Sequence, residues 1–239
     1  MKWELFQSQF HPSWWGKMKL FVESVECDKI YKFLKSEVKR GRKIVPLSSN
    51  VFRCFKETPY DELKVVMCGL SPYHTMKGNI IVADGLLMGC SSTGKLQASL
   101  EKFYDALYTE MYQGRTYNRN PDVKFLAKQG VLMLNASLTT EYMKPGSHLE
   151  LWDPFIKYLF EEVLSGVNVP IIFLGKEASK CKKYVSPWTW VFEVSHPASS
   201  AYSHTDWQTE GVFQKVNKVL MDSNGWTIEW LDLSKDVLF

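Results

Sequence analysis

Apolar residues along this chain fall into two alternating patterns. Uninterrupted runs at 64–70 (KVVMCGL), 130–138 (GVLMLNASL), 169–175 (VPIIFLG) and 188–197 (WTWVFEVSHP) are rich in β-branched and aromatic residues and have the character of strands buried on both faces. Between them, 96–112 (LQASLEKFYDALYTEMY), 152–166 (WDPFIKYLFEEVLSG) and 212–222 (VFQKVNKVLMD) repeat their apolar positions at helical spacing. Continuous strands alternating with amphipathic helices predict an α/β fold, with a central, mostly parallel four-stranded sheet flanked by helices. A helical N-terminal region, from about Glu4 to Arg42 within 1–43, precedes the first strand.

Composition changes this picture little. The 239 residues are 45% hydrophobic, enough for a large core, and no repeat, linker or composition break divides them, so 1–239 is read as a single domain. No apolar run approaches the roughly 18–20 residues that span a bilayer. The opening MKWELFQSQFHPSWW is too polar and too rich in Trp for a secretion signal, so a soluble intracellular protein is expected, not secreted, cytoplasmic or nuclear according to its host. Five widely spaced cysteines without a CxxC pair read as reduced core thiols, and the five histidines show no HxxxH or HExxH spacing. No metal and no cofactor are expected. Net charge is only +3, yet the positive charge is clumped. Residues 29–43 (KIYKFLKSEVKRGRK) hold seven Lys or Arg against one Glu, and 176–183 (KEASKCKK) hold four Lys. Such runs are either solvated faces or phosphate-attracting surfaces.

Polar residues concentrate where the expected strands end. Tyr73 and His74 follow the first strand, Asn135 interrupts the second inside an apolar run, and His196 with Pro197 ends the fourth. In open α/β sheets, ligands bind outside the carboxyl ends of the strands. A buried Asn amide presents both a donor and an acceptor and so matches the edge of a pyrimidine. Each residue alone has a structural explanation: a strand cap, a packed ring, a satisfied core histidine. Their convergence at one sheet edge points to a site.

These residues resemble the family 1 uracil-DNA glycosylases. GLSPYH (69–74) is similar to that family's GQDPYH loop, GVLMLNASLT (130–139) to its GVLLLNAVLT strand, and SHPASSAY (195–202) to its HPSPLSA loop. ADGLLM (83–88) falls at the AHGLAF-type segment, HLELWDPF (148–155) at the HxxLGWExF helix start, and GWTIEW (225–230) at the terminal IDW strand. The matched segments follow the family's order along nearly the whole chain. The resemblance implies an enzyme that flips deoxyuridine out of DNA and hydrolyses its N-glycosidic bond, leaving an abasic site. Carried over by position, Asn135 hydrogen-bonds the uracil edge, Tyr73 blocks the thymine methyl and His196 stabilises the departing uracil anion. His74, Leu70 and Met88 complete the base-binding surroundings. Ser99 holds a phosphate at a helix start, and Ser195, Ser199, Ser200, Tyr202 and His148 are further DNA-contact candidates.

The departures matter as much. Ser71 stands where the family's loop carries an Asp that positions the attacking water, and a positioned base typically contributes 10² to 10⁴-fold. Asp84 is the nearest substitute carboxylate within the motif segments. Met88 replaces a stacking Phe, Leu70 a Gln, and the wedge Leu is absent, with Ser200, Ala201 or Tyr202 in its neighbourhood. The implied partner is uracil-containing DNA, single- or double-stranded, bound by a monomer with no membrane role. The alternatives are a DNA-binding or replication accessory protein that keeps the pocket and has lost the chemistry, and a glycosylase for another modified pyrimidine.

Overall fold

The computed structural model describes residues 6–233, so the expected helix start at Glu4 lies outside the described residues. Four strands form the central sheet: β1 (Val65–Gly69), β2 (Val131–Asn135), β3 (Ile171–Leu174) and β4 (Val191–Val194). Their order is β2-β1-β3-β4 and every pairing is parallel. All residues of β1, β2 and β3 are buried, as uninterrupted apolar runs require in a sheet covered on both faces. At the edge, β4 is half-exposed over most of its length.

Helices flank the sheet or lead away from its edge: α1 (Trp15–Val22), α2 (Val25–Lys39), α3 (Ala98–Met111), α4 (Leu149–Tyr158), α5 (Pro197–Ser203) and α6 (Val212–Asn224). Ser24 starts α2 by accepting from Cys27 N at 3.2 Å, with Glu26 and Asp28 in the first turn where a helix dipole favours anions. Helix α4 begins three residues before the periodic stretch suggested and closes in a π turn over Leu159–Val163. The segment 197–203, similar in sequence to a loop, is helical, with Pro197 in its first turn and His196 as its N-cap. Two short antiparallel pairings, Ile44–Val45 with Thr140–Glu141 and Met76–Lys77 with Ile80–Ile81, are too brief to leave a periodic signal.

The N-terminal region packs as part of the same body. Trp14 is buried edge-on to Phe55 at 5.0 Å, and its indole N–H donates to the Thr58 carbonyl at 2.8 Å. Thr58 Oγ1 in turn donates to the Val131 carbonyl on β2, so the first helices are tied to the sheet. The parallel register then decides where chemistry sits. Gly69 pairs with Asn135, Cys68 with Phe173, and Leu174 with Val194, so all four strands end on one side. The loops that carry Ser71, Tyr73, Lys176 and His196 leave from that side together.

Candidate active site

A cleft of about 580 Å³ opens at these strand ends. Leu70, Ser71, Tyr73 and His74 line it from the loop after β1, Leu87 and Met88 from the segment crossing over β1, and His196 from the end of β4. Gly69 is glycine for a visible reason: a Cβ there would lie 2.4 Å from Leu87 Cδ1. Leu87 N donates to the Met133 carbonyl at 3.0 Å, which fastens this crossing segment to β2. Met88 then takes a left-handed backbone (φ 58°), strained by roughly 1–2 kcal/mol for a residue with a side chain, and is buried in the cleft wall.

Asn135 ends β2 with 3% of its surface exposed. Its Oδ1 is buried and has no hydrogen-bond partner, and it lies 3.6 Å from the point a Cβ on Gly69 would occupy, beside Leu87 of the cleft wall. Asn135 itself does not line the cleft, whereas Leu87 next to it does. An orphaned buried acceptor costs about 1–3 kcal/mol, a cost that a donor from outside the chain would relieve.

Tyr73 is fixed. Its hydroxyl lies 2.6 Å from Ser99 Oγ, and burial pushes the phenol well above its ordinary range, so the ring is a neutral wall. Ser99, for which the sequence suggested a phosphate role, lines the cleft and is engaged by the Tyr73 hydroxyl. It is buried in the first turn of α3, and its side chain holds Tyr73 across 26 residues.

His196 caps α5: Ala198 N donates to Nδ1 at 3.1 Å, which leaves the proton of the neutral ring on Nε2. Burial lowers its pKa from 6.5 to about 4, so the imidazole is neutral near pH 7. It can donate one hydrogen bond to charge that develops on an oxygen in the cleft. At the adjoining Gly175 (φ 90°) a Cβ would come within 3.1 Å of His196 Cβ, so the absent side chain leaves room for His196 beside the end of β3. His74 also lines the cleft, its pKa lowered by burial.

Several sequence-based expectations find other places. Asp84 does not line the cleft. It is buried, Oδ1 accepting from Leu86 N at 3.1 Å and Oδ2 from Ser91 N and Ser91 Oγ at 3.0 and 2.6 Å, with Arg53 Nη1 at 2.8 Å. Its oxygens are taken up in folding the crossing segment, so it is not a substitute for the carboxylate missing at position 71. His148 is also buried. Its Nδ1 lies 2.9 Å from Thr139 Oγ1 and its ring stands edge-on to Phe33, and it does not line the cleft. Ser200 is buried within α5. Ser195 is exposed and its carbonyl accepts from the Trp207 indole at 2.9 Å; Ser199 is exposed and its Oγ donates to the His196 carbonyl at 2.7 Å. Tyr202 is 81% exposed at the rim of the cleft. Ser71 lines the cleft, with Oγ accepting from Gly146 N at 3.2 Å.

Lys176, the first residue of the second basic run, and Glu177, which no motif in the sequence marks as a site residue, also line the cleft. The available signal is positional: both follow Gly175 at the end of a buried strand.

The arrangement has known counterparts. Residues 55–221 match the family model of the uracil DNA glycosylase superfamily. A uracil-DNA glycosylase of Francisella tularensis is 32% identical over 204 residues, covering 84% of this chain and 90% of that protein. One from Caenorhabditis elegans is 31% identical over 214 residues, covering 86% and 72%. The crystal structure of mimivirus uracil-DNA glycosylase superposes with a TM-score of 0.83 at 20% identity, over 96% of this chain and 89% of that one, a likeness of fold. With a four-stranded parallel sheet, an orphaned Asn at its carboxyl edge and kinship over most of its length, this chain belongs to the uracil-DNA glycosylase superfamily.

Proposed function

We propose that the protein excises uracil from DNA by hydrolysing the N-glycosidic bond of deoxyuridine. The observation that carries this reading is the orphaned Oδ1 of Asn135. Uracil presents N3–H, the missing donor, whereas cytosine presents a bare N3 acceptor there and leaves two acceptors opposed. Tyr73, held by Ser99, is a rigid wall against a 5-methyl group. A cleft of this size admits a base and not a duplex, so the nucleotide enters flipped, after unstacking that costs a few kcal/mol.

His196 contributes where the bond breaks. As C1′–N1 lengthens, negative charge gathers on the uracil ring and its oxygens, and the neutral Nε2–H of His196 donates to it. A donor that strengthens as charge develops lowers the barrier without tightening ground-state binding.

The test is release of uracil from an oligonucleotide holding one deoxyuridine, with thymine and cytosine controls. Asn135→Ala is expected to lose about 10 to 100-fold in single-turnover rate, the equivalent of about 1–3 kcal/mol. Release that is equal for cytosine and uracil, or unaffected by Asn135→Ala, would overturn the reading. A second reading is favoured by Ser71, which offers no charge and accepts from Gly146 N: a protein that binds the flipped base without cleaving it. Retained binding to uracil-containing DNA with no release by the native protein would establish that instead.

A further inference from the structure

Hydrolysis of a glycosidic bond passes through a cationic sugar and consumes a water, and both steps are helped by a nearby carboxylate. Ser71 cannot supply one, and Asp84 is locked to Arg53 and Ser91. Among the described residues that line the cleft, Glu177 is the only acid.

Its place follows from the sheet. Cys68 on β1 pairs with Phe173 on the neighbouring β3. Ser71 lies three residues beyond the first and Glu177 four beyond the second, so both leave adjacent parallel strands at the same end. The helical turn Lys176–Ser179 packs back against β1, the strand that leads into the loop of Ser71. Lys180 Nζ donates to Glu177 Oε2 at 2.7 Å in a solvent-exposed ion pair, a contact worth little to the placement of either side chain. Glu177 also borders a second hollow of about 720 Å³, bounded by Gly146, whose N–H is the one that Ser71 engages. Both residues line the cleft itself, so they border the same gap.

We infer that Glu177 is the catalytic carboxylate of this site, holding the attacking water and facing the cationic sugar in place of an acid at position 71. The inference rests on the uracil-excising reading above. The water oxygen bonds to C1′ while the C1′–N1 bond breaks. The bonding pair leaves with uracil as its N1 anion, which His196 stabilises, and one water proton passes to Glu177. The other proton stays on the new C1′ hydroxyl of the abasic sugar. Ser71 keeps a supporting part from its own side of the cleft, where its Oγ accepts from Gly146 N.

The experiment uses the full chain and an oligonucleotide with one deoxyuridine, under single-turnover conditions. Binding is followed separately on the same oligonucleotide carrying 2′-fluoro-2′-deoxyuridine, which resists cleavage. Glu177→Gln is expected to lower the cleavage rate about 100-fold while affinity for the fluorinated oligonucleotide changes less than threefold. Lys180→Ala, which removes the ion pair and keeps the acid, is expected to retain the rate within about threefold. Adding Ser71→Asp to Glu177→Gln restores at least tenfold, because an acid returns to the same gap from the other strand. Uracil release by Glu177→Gln at the native rate, or Ser71→Asp giving equal gains with and without Glu177, overturns the inference and leaves uracil excision standing. A native protein that releases no uracil overturns both.

Discussion

Individual residues in this cleft are set by what their neighbours leave unpaired. His196 is the clearest case, because one hydrogen bond fixes its tautomer and burial fixes its charge. This has a consequence for stability. Below pH 6.5 the unfolded chain takes up a proton at this position, while the folded chain refuses it until about pH 4. The stability contributed here is therefore full above about pH 6.5 and is lost as pH falls from there toward 4, by up to ~3 kcal/mol. Denaturant unfolding at pH 7 and pH 5 should show a larger loss for the native protein than for His196→Asn, by about 2 kcal/mol. An equal loss in both would mean that the ring is not held neutral. Asn135, Tyr73 and His196 are legible in the sequence because each interrupts or ends an apolar run, where a polar group needs a reason. The commitments of Asp84 and Ser99 are not. They depend on Arg53, 31 residues before Asp84, and on Tyr73, 26 residues before Ser99, and no local pattern encodes those distances.

At the scale of elements, the strands are readable and the short connections are not. Uninterrupted Val, Ile, Leu and Met runs leave little choice for β1, β2 and β3, and the observed ends fall within a few residues of the patterned ones. Helix α5 escapes the pattern although Pro197 and a capping His196 are helix-start signals, because seven residues rich in Ser and Ala show no apolar period. The join between β3 and β4 tests how tightly these elements hold the site. Gly175 has φ 90° and ψ 158°, a region almost reserved for glycine, and its missing Cβ makes room for His196. Gly175→Ala should destabilise by about 1–3 kcal/mol and, by pushing His196 out of line, slow uracil release more than it weakens DNA binding. Melting curves and single-turnover rates on the same preparation check both parts. A destabilised variant with an unchanged rate would show that His196 tolerates the displacement.

Over the whole molecule, charge decides how DNA reaches the cleft, and the structure divides the two basic runs unequally. No residue of 29–43 lines the cleft. In the second run Lys180 pairs with Glu177, Lys182 with Glu193 and Lys183 with Asp153, so three of the four lysines are already neutralised on the folded surface. Lys176 alone of that run stands in the cleft wall, and it is in no ion pair among the described residues. A phosphate entering beside a flipped nucleotide therefore meets one uncompensated cation from this run where the sequence showed four. Counterion release makes this measurable, since each phosphate neutralised on a single strand adds roughly 0.7 to the slope of log affinity against log salt. Lys176→Ala should reduce that slope by about 0.7 on a single-stranded oligonucleotide. Lys182→Ala and Lys183→Ala, whose charges are already spent on Glu193 and Asp153, should change it far less. Equal reductions from all three would mean that these ion pairs open when DNA binds, and the basic run would then act as one continuous surface.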